Sequence, residues 1–208
     1  MTRLRMTTLG AALLASVSGA ALAQEDGLSI VFTHHSSASN TFWQAVQKGF
    51  EDACARVEAE CQMIFTQTEG SIQEQLANME AALAQNPDAL VTSIVDNAAF
   101  DDVIQRARDA GVTVIAANVD DLEGAAGNAR QAFVGQGFIP AGRTLAEAQA
   151  ANFPAEGPVK VLVGVSAPGQ NWSEQRAQGV IEGLEAWAAA NPDREFSYER
   201  IDSGTDLA

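Results

Sequence analysis

Apolar positions in this chain come in short continuous runs, separated by stretches of helical period, and the two kinds alternate with little between them. The runs predict buried parallel strands at Leu28–Thr33, Gln62–Thr66, Ala89–Ile94, Val112–Ala116 and Gln131–Val134. The first helix opens at Asn40 or Thr41, either of which can cap it, with Val46, Phe50, Ala53 and Val57 expected on its inner face. Ser71-Ile72-Gln73-Glu74 reads as a capping box for a helix over Ile72–Gln85, where Leu76, Met79 and Leu83 recur at helical spacing. A third helix spans Ala98–Ala110 and closes at Gly111. Strict alternation of this kind predicts an α/β fold, a doubly wound parallel sheet with helices on both faces and right-handed crossovers.

The pattern then starts again. A helix over Gly142–Asn152 and a loop over Phe153–Pro158 lead to a strand at Val159–Val163, a helix over Trp172–Ala190 and a strand at Phe196–Ile201. Leu28–Gly49 and Val159–Gly179 share one grammar: apolar strand, small polar loop, aromatic, amphipathic helix. Asn40-Thr41-Phe42-Trp43 in the first unit is answered by Asn171-Trp172 in the second, and Asn86-Pro87-Asp88 by Asn191-Pro192-Asp193. The repeat predicts two doubly wound parallel-sheet lobes, one over 24–135 and one beginning over 136–208, the second incomplete. Gly135-Gln136-Gly137 supplies the backbone freedom that a hinge between them needs. Ligands of open parallel sheets bind beyond the carboxyl ends of the strands, so the facing loops predict a cleft.

Met1–Ala23 has the marks of a secretory leader: Arg3 and Arg5, a small apolar stretch over Leu9–Leu22, and the cleavage pattern Ala21-Leu22-Ala23. Export by the Sec route to the periplasm is expected, with Gln24 as the first mature residue. The net charge of −15 excludes nucleic acid and anionic lipid as partners and suits a soluble monomer. Cys54 and Cys61 would stand ~10 Å apart on one continuous helix, too far to bond. If the helix ends near Glu58 and the chain turns into the next strand they can approach, and an oxidising compartment then favours a structural disulfide. Neither C-x-x-C nor any metal-ligand spacing is present, so no metal is expected. Gly135-Gln136-Gly137 with Gly142 misses the spacing of a dinucleotide loop, and P-loop and G-x-S-x-G patterns are absent. No cofactor and no catalytic residue are expected.

Three stretches carry a family resemblance: SASNTFWQAVQKGFEDA, NPDALVTSIVDNAAFDDVIQRARDAGVTVIAANVD and SEQRAQGVIEGLEAW. In order and spacing they resemble the type I periplasmic sugar-binding proteins of ABC importers, the ribose- and galactose-binding group, over Leu28 to Leu207. The resemblance implies a protein that closes two lobes on a monosaccharide or related polyol and delivers it to an ABC permease complex in the inner membrane, with no reaction. It places Asn40, Phe42 and Trp43 over the sugar, and Arg176 on the facing lobe. At the end of the fourth strand the family shows Asp or Asn followed by Arg; here Asn118-Val119-Asp120 stands there, and Val119 has no donors, so Asn118 and Asp120 are the candidates. Typical members are longer, so the cleft of this chain alone is expected to bind weakly or not at all.

The residue types suit such a ligand on physical grounds. Aromatic rings cover the weakly apolar face of a sugar while Asn and Arg grip its hydroxyl edge. Trp172 is expected as a lid facing Phe42 and Trp43, although core packing explains any of the three aromatics equally well. Asp96 and Asn97, at the end of the third strand, can contact a hydroxyl or cap the next helix. Arg176 can instead pair with Glu174 or Glu182 on its own helix. His34 and His35 alternate in direction, so at most one is expected to face the cleft. Two other readings stand beside transport: an exported ligand-recognition subunit of a sensor or chemotaxis system, and, less favoured for want of a nucleophile–base pair, an exported α/β enzyme.

Overall fold

The computed structural model describes residues 27–204; the leader expected over Met1–Ala23 lies outside them. The first sheet has five strands, β1 (Ser29–Ser37), β2 (Glu60–Thr66), β3 (Ala89–Thr92), β4 (Thr113–Asn118) and β5 (Ala132–Gly135). All pair in parallel in the order β2-β1-β3-β4-β5. Helices α1 (Thr41–Val57), α2 (Ile72–Leu83) and α3 (Asp101–Asp109) make the crossovers. The core is packed from Leu90, Ile94, Val114, Met79, Phe100 and Ile104, all fully buried. Each such side chain stabilises the fold by roughly 1.5–3 kcal/mol. The order reverses between β1 and β3, which creates a crevice beyond their carboxyl ends.

Several elements depart from the sequence expectation, each for a local reason. Strand β1 continues past Thr33 through His34, His35 and Ser36, all buried and each making a hydrogen bond, although His34 Nε2 has no partner among the described residues. Helix α1 turns Trp43 and Cys54 inward and leaves Ala53 and Val57 exposed. Its last turn is fixed by Glu58, in the left-handed region at φ 54°, which swings the chain into β2. Cys54 and Cys61 are thereby brought to a Cα separation of 6.2 Å and are bonded. Helix α3 starts at Asp101 rather than Ala98, since Asp96 accepts from the N–H groups of Ala98 and Ala99 and holds the preceding residues in turns. Ser71 caps α2 through the Glu74 N–H, but the Glu74 carboxylate reaches Gln67 and Thr68 instead of returning to Ser71, leaving half of the capping box unmade.

The second sheet pairs β6 (Val159–Val165) with β7 (Phe196–Asp202), again in parallel. Helices α4 (Phe138–Ala150) and α5 (Asn171–Ala190) pack together on it. Helix α4 begins four residues before the expected Gly142, with Pro140 in its first turn, where the missing N–H costs nothing. Along β6, Val159, Val163 and Val165 are buried, while Lys160, Leu162 and Gly164 are open. Among the described residues this sheet is therefore covered on one face, as fits a second lobe that is incomplete. Gln136 and Gly137 connect β5 to α4.

The two second-lobe helices touch backbone to backbone. A Cβ built on Gly179 would lie 2.1 Å from the Ile139 carbonyl oxygen, and one on Gly142 would lie 2.2 Å from that of Arg176. Ordinary helix propensity favours Ala over Gly. Here Gly179→Ala is expected to lower stability in urea unfolding, by about 1–3 kcal/mol through overpacking. A gain in stability would show that α4 and α5 are further apart than described.

Candidate functional site

A buried polar ladder runs up the middle of the first sheet to the crevice. Thr33 Oγ1 donates to Thr92 Oγ1, and Gln75 Nε2, fully buried on α2, donates to Thr92 Oγ1 and to the Ser93 carbonyl. Above it, His35 Nδ1 meets Ser93 Oγ at 2.9 Å. The ladder ends at the floor of a cavity of about 340 Å³ between the two lobes. From the first lobe His35, Ser36, Asn40, Phe42, Trp43, Glu69 and Asn118 line it; from the second, Ser166, Trp172 and Arg176; Gln136 of the connection and Gly204 complete it.

Glu69 organises the first-lobe wall. Its carboxylate accepts from Ser36 Oγ, from the Ser37 N–H at 2.9 Å and from Asn40 Nδ2 at 3.1 Å. Burial works to raise its pKa, but the donors from Ser36, Ser37 and Asn40 outweigh that and hold it below the usual carboxylate range. Asn40 also caps α1, accepting from the Phe42 N–H. The next residue, Gly70, donates its N–H to the His35 carbonyl and offers its own carbonyl to Gln170 Nε2 at 3.1 Å. Gln170 Oε1 in turn accepts from Trp172 Nε1 at 2.7 Å. Asn171 adds two further links between lobes, backbone N–H to the Val95 carbonyl and side chain to Asn97 Oδ1.

The aromatic residues divide by exposure. Phe42 is 52% exposed at the mouth of the cavity, whereas Trp43 is 2% exposed and stacks on His34 with centroids 4.0 Å apart. Trp43 therefore meets the cavity only at its floor, and its ring face is already covered. Trp172 faces His35 across the lobes with centroids 6.2 Å apart. Arg176 is half-buried over the rings of Phe138 and Trp172, at 4.8 and 5.5 Å. It forms no ion pair among the described residues: Glu174 is taken by Arg200 and Glu182 by Arg143. Burial lowers the Arg176 pKa, yet a guanidinium starts so high that it stays charged.

Two residues expected to face the ligand have other partners. Asp120 is paired with Arg130, both largely buried, and is not among the cavity-lining residues. Asp96 spends its carboxylate on the turn before α3, as described above, and also lies off the cavity wall. Asn118 does line the cavity, held at φ 67° at the end of β4, a conformation that Asn tolerates better than most residues. The sequence gives no sign that Glu69, Ser36, Gln136 and Ser166 line a cavity, nor which of His34 and His35 faces it; polar residues in a strand carry no signal that they are buried beside a crevice.

Both histidines are neutral. Burial is the main cause for each, placing His34 at about 3 and His35 at about 4; for His34 the neighbouring His35 adds to the depression, and for both Glu69 opposes it. The unfolded chain takes up these protons near 6.5, well before the folded one. Their contribution to stability is therefore complete above about pH 6.5 and is lost as pH falls towards the folded values. The chain contains no other histidine. Urea unfolding is expected to weaken by on the order of 1 kcal/mol per histidine for each pH unit between about 6 and 4.5. His35→Gln should cut that slope; a stability flat across this range would contradict the burial of both rings.

Comparison with known proteins bears on the fold and the family. A family model described as a periplasmic binding protein domain matches residues 30–206. Over 90 residues the chain is 36% identical to the xylose/arabinose-binding protein XylF of Sulfolobus acidocaldarius, covering 43% of this chain and 22% of that one. A periplasmic sugar-binding protein of an ABC sugar transporter from Legionella pneumophila superposes with a TM-score of 0.75 at 25% identity, over 86% of this chain and 61% of that one. A sugar-binding protein of an ABC transporter from Bacillus halodurans gives 0.66 at 28% identity, over 83% and 55%. The chain thus spans about three fifths of the length of these solved structures and about a fifth of the curated relative.

Proposed function

The chain belongs to the periplasmic binding protein family, and on that premise we propose that it is the solute-binding component of an ABC importer, taking a monosaccharide or related polyol into the cleft between its lobes. The observation that carries the reading is the pairing of an exposed aromatic, Phe42, on one lobe with Trp172 and an unpaired guanidinium, Arg176, on the other. Ring faces suit the apolar side of a sugar. Arg176, Asn40 and Asn118 suit its hydroxyl edge, where donors and acceptors must be matched once water is expelled. The names of the similar proteins, a xylose/arabinose-binding protein and sugar-binding proteins of ABC transporters, support the same ligand class.

On this reading the protein works in the periplasm after loss of Met1–Ala23, and Gly135-Gln136-Gly137 is the hinge by which residues 136–208 move against the first lobe. No helix among the described residues is long and apolar enough to cross a membrane. Delivery to a permease follows closure; the cleft binds and releases without making or breaking a bond. Asn40, Phe42, Asn118, Trp172 and Arg176 are the proposed ligand contacts, with Trp43 beneath them as support rather than as a stacking face.

Thermal unfolding against D-xylose, L-arabinose, D-ribose, D-glucose, D-galactose and myo-inositol, each carried to high concentration because the cleft of this chain is expected to bind weakly, tests this. At ten times its dissociation constant a bound sugar stabilises by about 1.4 kcal/mol, which corresponds to a rise in midpoint of roughly 3–6 °C. One or more of the six should give a concentration-dependent rise, and Trp172→Ala and Arg176→Ala should each abolish it. No rise with any of them would contradict the sugar reading.

A further inference from the structure

His35 is the one cavity-lining residue whose chemical state is fixed from beneath. Its Nδ1 lies 2.9 Å from Ser93 Oγ, and Ser93 is fully buried. Gln75 Nε2 approaches the same oxygen at 3.3 Å and the Ser93 carbonyl at 2.6 Å. An amide nitrogen only donates and carries two protons, and Gln75 Nε2 has a third oxygen in reach, Thr92 Oγ1 at 3.1 Å, so Ser93 Oγ at best shares one of them. Gln75 Nε2 cannot accept, so among the described residues His35 Nδ1 is the one partner able to take the proton of this buried hydroxyl, which therefore points at the ring. Nδ1 accepts, and the single proton of the neutral imidazole sits on Nε2. That nitrogen has no hydrogen-bond partner among the described residues, nor is it one of the buried, unsatisfied atoms, so it opens to the cavity that His35 lines.

The ring is also fixed in plane. Trp43 meets it edge-on with centroids 5.5 Å apart, and Trp172 of the other lobe lies over it at 29°. The charged and titratable groups near it are His34 on β1, Glu69 on the loop after β2, and Arg176 on α5 across the cavity. Glu69, held by Ser36, Ser37 and Asn40, favours a second proton on the ring, but burial of the ring outweighs it.

We propose that His35 is a specificity-determining residue of the cleft: a neutral imidazole locked by Ser93 and Gln75 as the Nε2–H tautomer, donating one fixed hydrogen bond to an acceptor oxygen of the bound sugar. This deepens the sugar reading and rests on it. A ligand that offers no oxygen at that point leaves the N–H unpaired as the cleft closes, whereas a long side chain such as Arg176, with no ion pair among the described residues, can swing to another acceptor. Ser93 and Gln75 are positioning residues; they touch the ring or its partner and not the ligand.

With only two histidines in the chain, nitrogen NMR of the side chains tests the tautomer directly, His35→Gln identifying which signals belong to His35. In the free protein at pH 7 the His35 Nδ1 should resonate as an unprotonated and Nε2 as a protonated ring nitrogen. Ser93→Ala should shift both towards the averaged values of a mixture while the His34 signals stay put. A protonated Nδ1, or a spectrum indifferent to Ser93→Ala, overturns the lock. D-xylose, L-arabinose, D-ribose, D-glucose, D-galactose and myo-inositol are then titrated, and any that binds should shift the Nε2–H signal. His35→Phe should weaken that binding about fivefold, the scale of one lost neutral hydrogen bond, and His35→Gln, which can still donate, should restore most of it. Both variants are checked for folding by their thermal midpoints. If sugars bind the wild-type chain and His35→Phe binds them equally, the donor role is overturned and the sugar reading stands. If none binds the wild-type chain, the sugar reading falls and takes the ligand role of His35 with it, while the spectrum still decides the tautomer.

Discussion

Among the described residues no cation neutralises Glu69, half-buried beside the cleft, and three donors from the end of β1 and the loop after it carry its charge instead. Removing those donors would strand a carboxylate in low dielectric, so the loop and the acid hold each other in place. What depends on this clasp is most of the first-lobe wall. Asn40 is fixed between Glu69 and the start of α1, which sets Phe42 at the mouth and Trp43 at the floor. Gly70, next in sequence, ties the loop after β2 to β1 on one side and to Gln170 of the second lobe on the other. Gln170 then orients Trp172. A single half-buried acid thus links both walls of the cavity through short hydrogen bonds.

The parallel sheet explains why these groups meet at all. Every β-α connection leaves at the carboxyl edge, so loops distant in sequence collect along one side, and the reversal of strand order between β1 and β3 opens a gap there. Beneath the gap, Thr33, Thr92, Gln75 and Ser93 form a column of mutually bonded polar groups, with Gln75 Oε1 left without a partner among the described residues. It provides a rigid base for His35. On the far side, the glycines of α4 and α5 let the helices approach until Arg176 lies over Phe138. Rigid walls reduce the ordering that a ligand must impose, which is how a cleft turns a few hydrogen bonds into selectivity.

The alternation of strands and helices was legible because parallel strands buried on both faces must be continuous apolar runs. The facing of α1 was not. Successive helical residues differ by about 100°, so Phe42 and Trp43 looked interchangeable until Cys54, bonded to Cys61 on β2, fixed which side turns inward. The end of β1 was misread for a related reason: His34, His35 and Ser36 are polar, and nothing local announces that Ser93 and Glu69 await them. Asn118, Trp172 and Arg176 were found from a shared grammar and a resemblance, and the structure brings them to one cavity. Asp120 was not separable from them in sequence, because its partner Arg130 lies beyond a turn that carries no periodic signal.

The central claim is that the space between Phe42, Trp172 and Arg176 is a sugar site. A crystal structure of the chain grown with the sugar that most raises its unfolding midpoint tests this most directly. The account expects the sugar in that space, one ring face against Phe42 or Trp172, a hydroxyl within hydrogen-bond distance of Arg176 and an oxygen opposite His35 Nε2. A sugar bound elsewhere on the protein, with the space between the lobes filled only by water, would contradict it.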